Sequence, residues 1–347
     1  MDLRNILIIK LRYIGDVLLA TPVLRALRDA FPQACLTMAV NRGTEAVLIS
    51  NPDLNEVLVV DRQGLVGDVQ FLRDVRQRRF DCVIDLTDAD RSAMIARASG
   101  APVRIGFNDE HRWRGLLYTC VVRGTKGHRI ERDLDAVRAL GLEPKRDHPV
   151  LTVSDHEERE AAVILKEVGT GSAVQHGRPL VLLHPGARYW FKAWPAERFA
   201  ELAHRLSQAY DCELLIAGGA QDGDMIEAIR AYARTPIHVV AGRAGLRQFA
   251  AILKRCALFI GNDNGAMHMA AAMGTPIVAL FGPSDPAEWG PRGPRVTVLY
   301  KGLDCRTCFH PTCRRGEDNC MRQISVDEVF AAAAKILTPL EIVGGRG

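Results

Sequence analysis

At 347 residues the chain exceeds the usual size of one core, so two domains are expected, and its 48% hydrophobic and 25% charged residues are those of an ordinary soluble enzyme. Lys and Arg total 45 against 41 Asp and Glu, and the resulting +4 is too small to make nucleic acid the main partner. No apolar run approaches the roughly 20 residues that span a bilayer, and nine cysteines, an odd number and mostly isolated (Cys35, Cys82, Cys212, Cys256), point to a reducing compartment, most simply the cytosol.

Residues 1–10 carry Asp2 early and a short apolar run broken by Lys10, without a small-residue cleavage site, and read as a first strand rather than a signal peptide. Strands are expected at 5–9, 35–40, 56–60 and 81–86, and helices at 16–30, 67–79 and 90–98. This alternation means βαβ units around a parallel sheet. After the first strand, Gly15 permits a close turn and Asp16 falls at a helix start. Two roles are open to Asp16: N-cap of that helix, or a carboxylate facing a cleft. The loop lacks Gly-x-Gly-x-x-Gly, which removes the main support for a nicotinamide dehydrogenase.

Basic residues are dense from Arg104 to Arg138: Arg104, Arg112, Arg114, Arg123, Lys126, Arg129, Arg132 and Arg138, with His111 and His128. The segment suits a phosphorylated or carboxylated substrate or an anionic membrane surface, and equally a solvated face. Helices are expected at about 130–140 and 155–168. Residues 169–179 lose periodicity, which places the linker there and gives domains at 1–170 and 171–325, with a tail at 326–347.

The second half repeats the plan, with strands at 180–184, 213–217 and 237–240 and helices at 195–209, 225–233 and 246–255. Two doubly wound domains in series imply a substrate cleft between them. Three loops at strand ends stand out. His184-Pro-Gly186-Ala187 leads to Lys192 just before a helix starting at Pro195, where an ammonium reaches a phosphate oxygen; a solvated lysine with Trp190, Phe191 and Trp194 as interdomain packing is the alternative. Gly218-Gly219 precedes Asp222 and Asp224, one suited to a ribose and one to helix capping. Residues 258–286 form a strand–turn–helix–strand unit with Asp263, Asn264 and Gly265 at the helix start, where free N–H groups favour an anion; the stretch Phe281-Gly-Pro-Ser-Asp-Pro286 is expected to make a second such turn, so that a diphosphate sits at the strand ends. His268, among Met267, Met269 and Met273, reads as a core residue or a catalyst.

A last helix at 326–336 is expected to pack back across the junction, on the N-terminal domain. Before it, Cys305-x-x-Cys308-x4-Cys313-x6-Cys320 has spacing near that of a structural zinc site, with His310 also available, or is a cluster of reduced, packed cysteines.

The stretch Ile-Ile-Lys-Leu-Arg-Tyr-Ile-Gly15-Asp16, then His184-Pro-Gly-Ala with Phe191-Lys192-Ala-Trp194-Pro195, then Gly261-Asn-Asp263-Asn-Gly265-Ala-Met-His268 and Phe281-Gly-Pro-Ser-Asp-Pro286 together resemble the bacterial lipopolysaccharide heptosyltransferases of glycosyltransferase family nine. The resemblance covers residues 5–335 in order. It implies the GT-B architecture, two Rossmann-like domains facing across a cleft, the first binding a lipopolysaccharide core acceptor and the second ADP-heptose. It also implies Asp16 as general base in an inverting transfer and Lys192 as the charge that neutralises the departing diphosphate. Asp263, Asn264, Gly265 and His268, with Gly186 and Ala187, would bind the donor, and Asp222 or Asp224 its ribose. No metal would be needed for catalysis. Arg123, Lys126 and Arg129 become candidates for the acid groups of the acceptor and for peripheral attachment at the cytoplasmic face of the inner membrane. Residues 187–194 are spaced as in the type III enzymes, which add a branch heptose; types I and II, and a catalytically silent sugar-nucleotide-binding protein, stay open.

Overall fold

The computed structural model describes residues 3–61, 64–171, 177–305 and 313–344, and the chain divides into two units, Met1–Thr152 and Val153–Gly347. In the first unit, strands β1 (Asn5–Lys10), β2 (Cys35–Asn41), β3 (Glu56–Val60), β4 (Cys82–Asp85), β5 (Val103–Phe107) and β6 (Cys120–Val122) form one sheet in the order β3-β2-β1-β4-β5-β6. Every pairing is parallel. Helices α1 (Ile14–Leu19), α2 (Thr21–Ala30), α3 (Gly64–Gln77), α4 (Asp90–Ser99) and α5 (Arg129–Arg138) complete it. Ile6, Leu7, Ile8 and Ile9 of β1 are all fully buried, as a central parallel strand covered on both faces requires.

The helix expected over 16–30 is two helices. Ala20 ends the first, and the second opens at Thr21 with a proline in its first turn, where the missing N–H costs no bond. β5 and β6 lie inside the basic segment and escaped pattern reading. Arg104 and Gly106 interrupt the apolar run of β5, and β6 is three residues long.

The second unit repeats the topology. Strands β7 (Leu180–His184), β8 (Glu213–Ile216), β9 (His238–Val239), β10 (Leu258–Asn262), β11 (Ile277–Phe281) and β12 (Val296–Tyr300) run in the order β12-β11-β10-β7-β8-β9, again all parallel. Its helices are α6 (Asp155–Leu165), α7 (Ala196–Ala209), α8 (Gly223–Tyr232), α9 (Leu246–Arg255), α10 (Gly265–Ala272), α11 (Pro286–Trp289), α12 (Cys320–Gln323) and α13 (Val326–Gly344). In both sheets chain direction along the sheet reverses beside the first strand, between β1 and β4 and between β7 and β10. Ligands of such folds bind beyond the strand ends at these points.

Two boundary expectations are corrected. The division falls at Thr152–Val153, ahead of the expected linker, because α6 is bound to the second unit: Arg247 on α9 donates from Nε and Nη2 to both oxygens of Glu157, at 2.7 and 2.8 Å. Of the expected linker, residues 172–176 lie outside the described residues. The last helix is part of the second unit. Val326, Val329, Ala333 and Leu337 form a stripe that joins the second unit's own core with Trp194, Phe199 and Leu280.

Candidate active site

Because β7 and β10 are neighbours, with Gly261 opposite His184, the loops that follow them meet. Lys192 ends a 3-10 turn, Trp190–Lys192, whose Phe191 is buried and stacked on Tyr189. Its Nζ donates to Asp263 Oδ2 at 2.9 Å and to Ser284 Oγ at 2.6 Å. Three loops from β7, β10 and β11 are thus tied at one ammonium, and about a quarter of the Lys192 side chain stays exposed. Trp194 packs within the second unit. Its ring is buried in the second unit's core, edge-on to Phe199, and its Nε1 donates to Ile324 O at 2.9 Å.

Asn264 caps α10: its Oδ1 accepts from Met267 N at 3.1 Å. Its Nδ2 donates to Gly186 O at 2.7 Å and lies 3.0 Å from His184 Nδ1. With the amide orientation fixed by those backbone partners, His184 accepts at Nδ1 and carries its proton on Nε2. Burial pulls the imidazole down to about 4, so it stays neutral at physiological pH. Asn262 ties the same loops from below, donating to Pro185 O at 2.7 Å and accepting from Trp194 N at 3.2 Å. The cap uses Met267 N, and among the described residues the N–H groups of Gly265 and Ala266 donate to no partner within the fold, leaving them for an anion at the helix start.

The second expected phosphate turn is different. α11 is a single turn, and Asp285 spends its carboxylate on that turn's own Ala287 N at 2.8 Å. What this loop contributes is Ser284, held against Lys192. The two acids after β8 also separate in role. Asp222 is buried; its Oδ2 accepts from Gly219 N at 2.7 Å, and burial pushes its carboxyl up. It lies so close under Gly186 that a β-carbon there would fall 2.3 Å from Oδ2. Asp222 therefore supports the His184 loop, and Asp224 in the first turn of α8 is the exposed acid of the two. His268 is buried in α10, Ala187 is half-buried, and Gly265 opens the helix.

In the first unit, Asp16 is the third residue of α1. The N-cap position belongs to Tyr13 and carries no side-chain cap bond, so the capping role is not the one Asp16 plays. Its half-buried carboxylate takes no hydrogen bond or ion pair among the described residues. The backbone before it is held firmly. Lys10 Nζ, buried at the end of β1, pairs with Asp133 Oδ2 at 2.6 Å and donates to Leu86 O at 3.1 Å. Leu11 N donates to Thr87 Oγ1 at 2.8 Å, and Arg12 Nη2 to Thr87 O at 3.0 Å. Next to them Asp85, pushed up by complete burial, accepts from Thr87 N at 2.8 Å and from Tyr118 OH at 2.7 Å. The Tyr118 ring reaches it across Gly106, where a β-carbon would fall 2.3 Å from that ring. None of Lys10, Asp85, Tyr118 or Asp133 carries a sequence signal, since their partners lie far along the chain.

Most of the basic segment is not available to a ligand. Arg114 and Arg132 both bind Asp88, at 2.7 and 2.8 Å, and Arg132 also binds Asp109 at 3.0 Å. Arg138 is paired with Glu131 and Asp135, and Arg104 with the carbonyls of Leu117 and Ala101. Arg123 and Lys126 are exposed in the loop after β6, at the same sheet edge as the loop bearing Asp16, and Arg129 opens α5. Of the cysteine motif, Cys308 and His310 lie outside the described residues. Among the described residues no group of three His, Cys, Asp or Glu is placed to hold a metal.

Residues 69–318 match glycosyltransferase family 9 (heptosyltransferase). Lipopolysaccharide heptosyltransferase 3 of Escherichia coli K12 is 28% identical over 343 residues, covering 94% of this chain and 96% of its own. Lipopolysaccharide heptosyltransferase 2 of Salmonella typhimurium LT2 is 28% identical over 314 residues, covering 85% and 87%. Among solved structures, the glycosyl transferase family 9 protein of Veillonella parvula DSM 2008 superposes with a TM-score of 0.85 at 26% identity, over 98% of this chain and 99% of its own.

Proposed function

The chain belongs to glycosyltransferase family 9, and from that premise we propose that it moves heptose from ADP-heptose to the inner core of lipopolysaccharide, as a type III enzyme adding a branch heptose. Asp16 takes the proton from the acceptor hydroxyl as that oxygen attacks the anomeric carbon with inversion; a base must keep a lone pair free for this, and among the described residues Asp16 has no hydrogen-bond or ion-pair partner. The departing diphosphate is met by Lys192 and by the N–H groups opening α10, a role that asks for no bound metal. The observation that carries the reading is the Lys192 ammonium fixed by Asp263 and Ser284 where three strand-end loops meet. Asp224 is the exposed acid for the ribose, while Arg123, Lys126 and Arg129 face anionic groups of the acceptor. The type III assignment is supported by the relative of that type matching 94% of the chain, against 85% for type 2 at equal identity.

Incubation with ADP-heptose and a graded set of core acceptors, read by mass spectrometry, tests the reading. One added heptose on a core that already carries its main-chain heptoses is the expected product. Transfer only to a heptose-free core would reassign the chain to type I, and transfer only to a core with a single heptose to type II.

A further inference from the structure

The connection between β5 and β6 contains a 3-10 turn, Trp113–Leu117. Three residues complete a turn of such a helix, so side chains three apart stand on one side. The inward side carries Arg114, 3% exposed and bound to Asp88, and Leu117, packed against the first unit's core. The outward side carries Trp113 and Leu116, 53% and 87% exposed. A guanidinium facing in while a tryptophan and a leucine face water departs from the usual arrangement, in which charge is solvated and large apolar groups are buried. Val121, on edge strand β6, is also exposed.

A cationic rim adjoins this face. The Asn108 side chain closes the start of the turn through Arg112 N at 2.9 Å and Arg112 O at 3.0 Å. Its neighbour Asp109 accepts from Gly124 N at 3.2 Å, which fixes the loop bearing Arg123 and Lys126 beside the turn. Arg123 and Lys126 are exposed and form no ion pair among the described residues. A tryptophan and a leucine rimmed by unneutralised cations fit a bilayer with anionic headgroups, where indole rings favour the interface and basic side chains are drawn to lipid phosphate. A protein partner would need a wider apolar area than two side chains provide. Among the described residues no helix is long and apolar enough to cross a membrane.

We propose that Trp113 and Leu116 form an interfacial anchor that seats the first unit on an anionic lipid surface, entering the boundary of headgroups and acyl chains while Arg123 and Lys126 meet the lipid phosphates. The proposal deepens the assigned function, because a lipid-linked acceptor is met at a bilayer, yet its test needs no acceptor. The full chain is floated with vesicles of phosphatidylglycerol and phosphatidylethanolamine, and with vesicles of phosphatidylcholine alone. Wild type should float with the anionic vesicles and not with the neutral ones. The double variant Trp113→Ser/Leu116→Ser should reduce the bound fraction at least about tenfold, with an unchanged circular dichroism spectrum and unchanged transfer to a delipidated core fragment. Arg123→Glu/Lys126→Glu should reduce binding most at low salt. Equal flotation of wild type and the Trp113→Ser/Leu116→Ser variant, or no preference for anionic vesicles, would overturn the anchor. Loss of transfer to every soluble acceptor would instead strike the assigned function and leave the anchor standing.

Discussion

The two units have the same strand order, yet their switch points are furnished in opposite ways. Beside β7 and β10 the polar groups are bound to one another: Lys192 to Asp263 and Ser284, Asn264 to His184 and Gly186. Beside β1 and β4 the surrounding groups are locked, with Lys10 on Asp133 and Tyr118 on Asp85, while Asp16 has no partner among the described residues. The contrast fits the roles proposed for Lys192 and Asp16. A cation that stabilises developing charge has to be in place before the charge appears. A base has to arrive with its lone pair unspent, so the order it needs is imposed on the backbone around it.

That contrast can be broken from either side. The largest effect is expected beneath Asp16: Lys10→Met strands Asp133 as an unpaired buried carboxyl and should cost about 3–5 kcal/mol in chemical unfolding of the first unit. Adding Asp133→Leu should return much of that loss, since an apolar pair of similar volume replaces both buried charges. In the second unit, Lys192→Ala should lower turnover about 10²–10³-fold and also lower the thermal midpoint, because it leaves the largely buried Asp263 and Ser284 without their shared donor.

The third expectation concerns acid. His184 in the folded chain titrates at about 4, below its ordinary 6.5. The unfolded chain therefore takes up a proton first, and the stability His184 lends is complete above 6.5 and lost as pH falls through about 4, in total about 3 kcal/mol. Replacing His184 by Gln should flatten the pH dependence of the second unit's unfolding across that window and leave the first unit's unchanged. The smallest effect sharpens the boundary between the units. Ser154 caps α6 and shares a capping box with Glu157, so Ser154→Ala should cost the second unit alone about 1 kcal/mol.

Much of the second unit was legible because its site is written in short, contiguous runs. A strand, a Gly-containing turn and a helix start within 258–286 already mark the proposed anion site, and Lys192 stands just ahead of a helix. The first unit hid its design. Lys10 and Asp133 are paired across 123 positions, and Asp85 and Tyr118 across 33, so neither pair leaves a local pattern. The basic segment misled in part for the same reason. Arg114 and Arg132 are neutralised by Asp88, from the loop after β4, which only the fold reveals, whereas Arg138 pairs with its near neighbours Glu131 and Asp135. Asp285 shows the reverse case, a turn with the right residues whose own carboxylate fills the helix start.

The most direct measurement of the central claim is ADP release from ADP-heptose, with and without a heptose-bearing core acceptor, for wild type and Asp16→Ala. Release that depends on the acceptor and falls at least about a hundredfold in the variant, with donor affinity retained, is the expected result. Release undiminished in Asp16→Ala, or a parallel loss of donor binding, would contradict the assignment of Asp16 as the base.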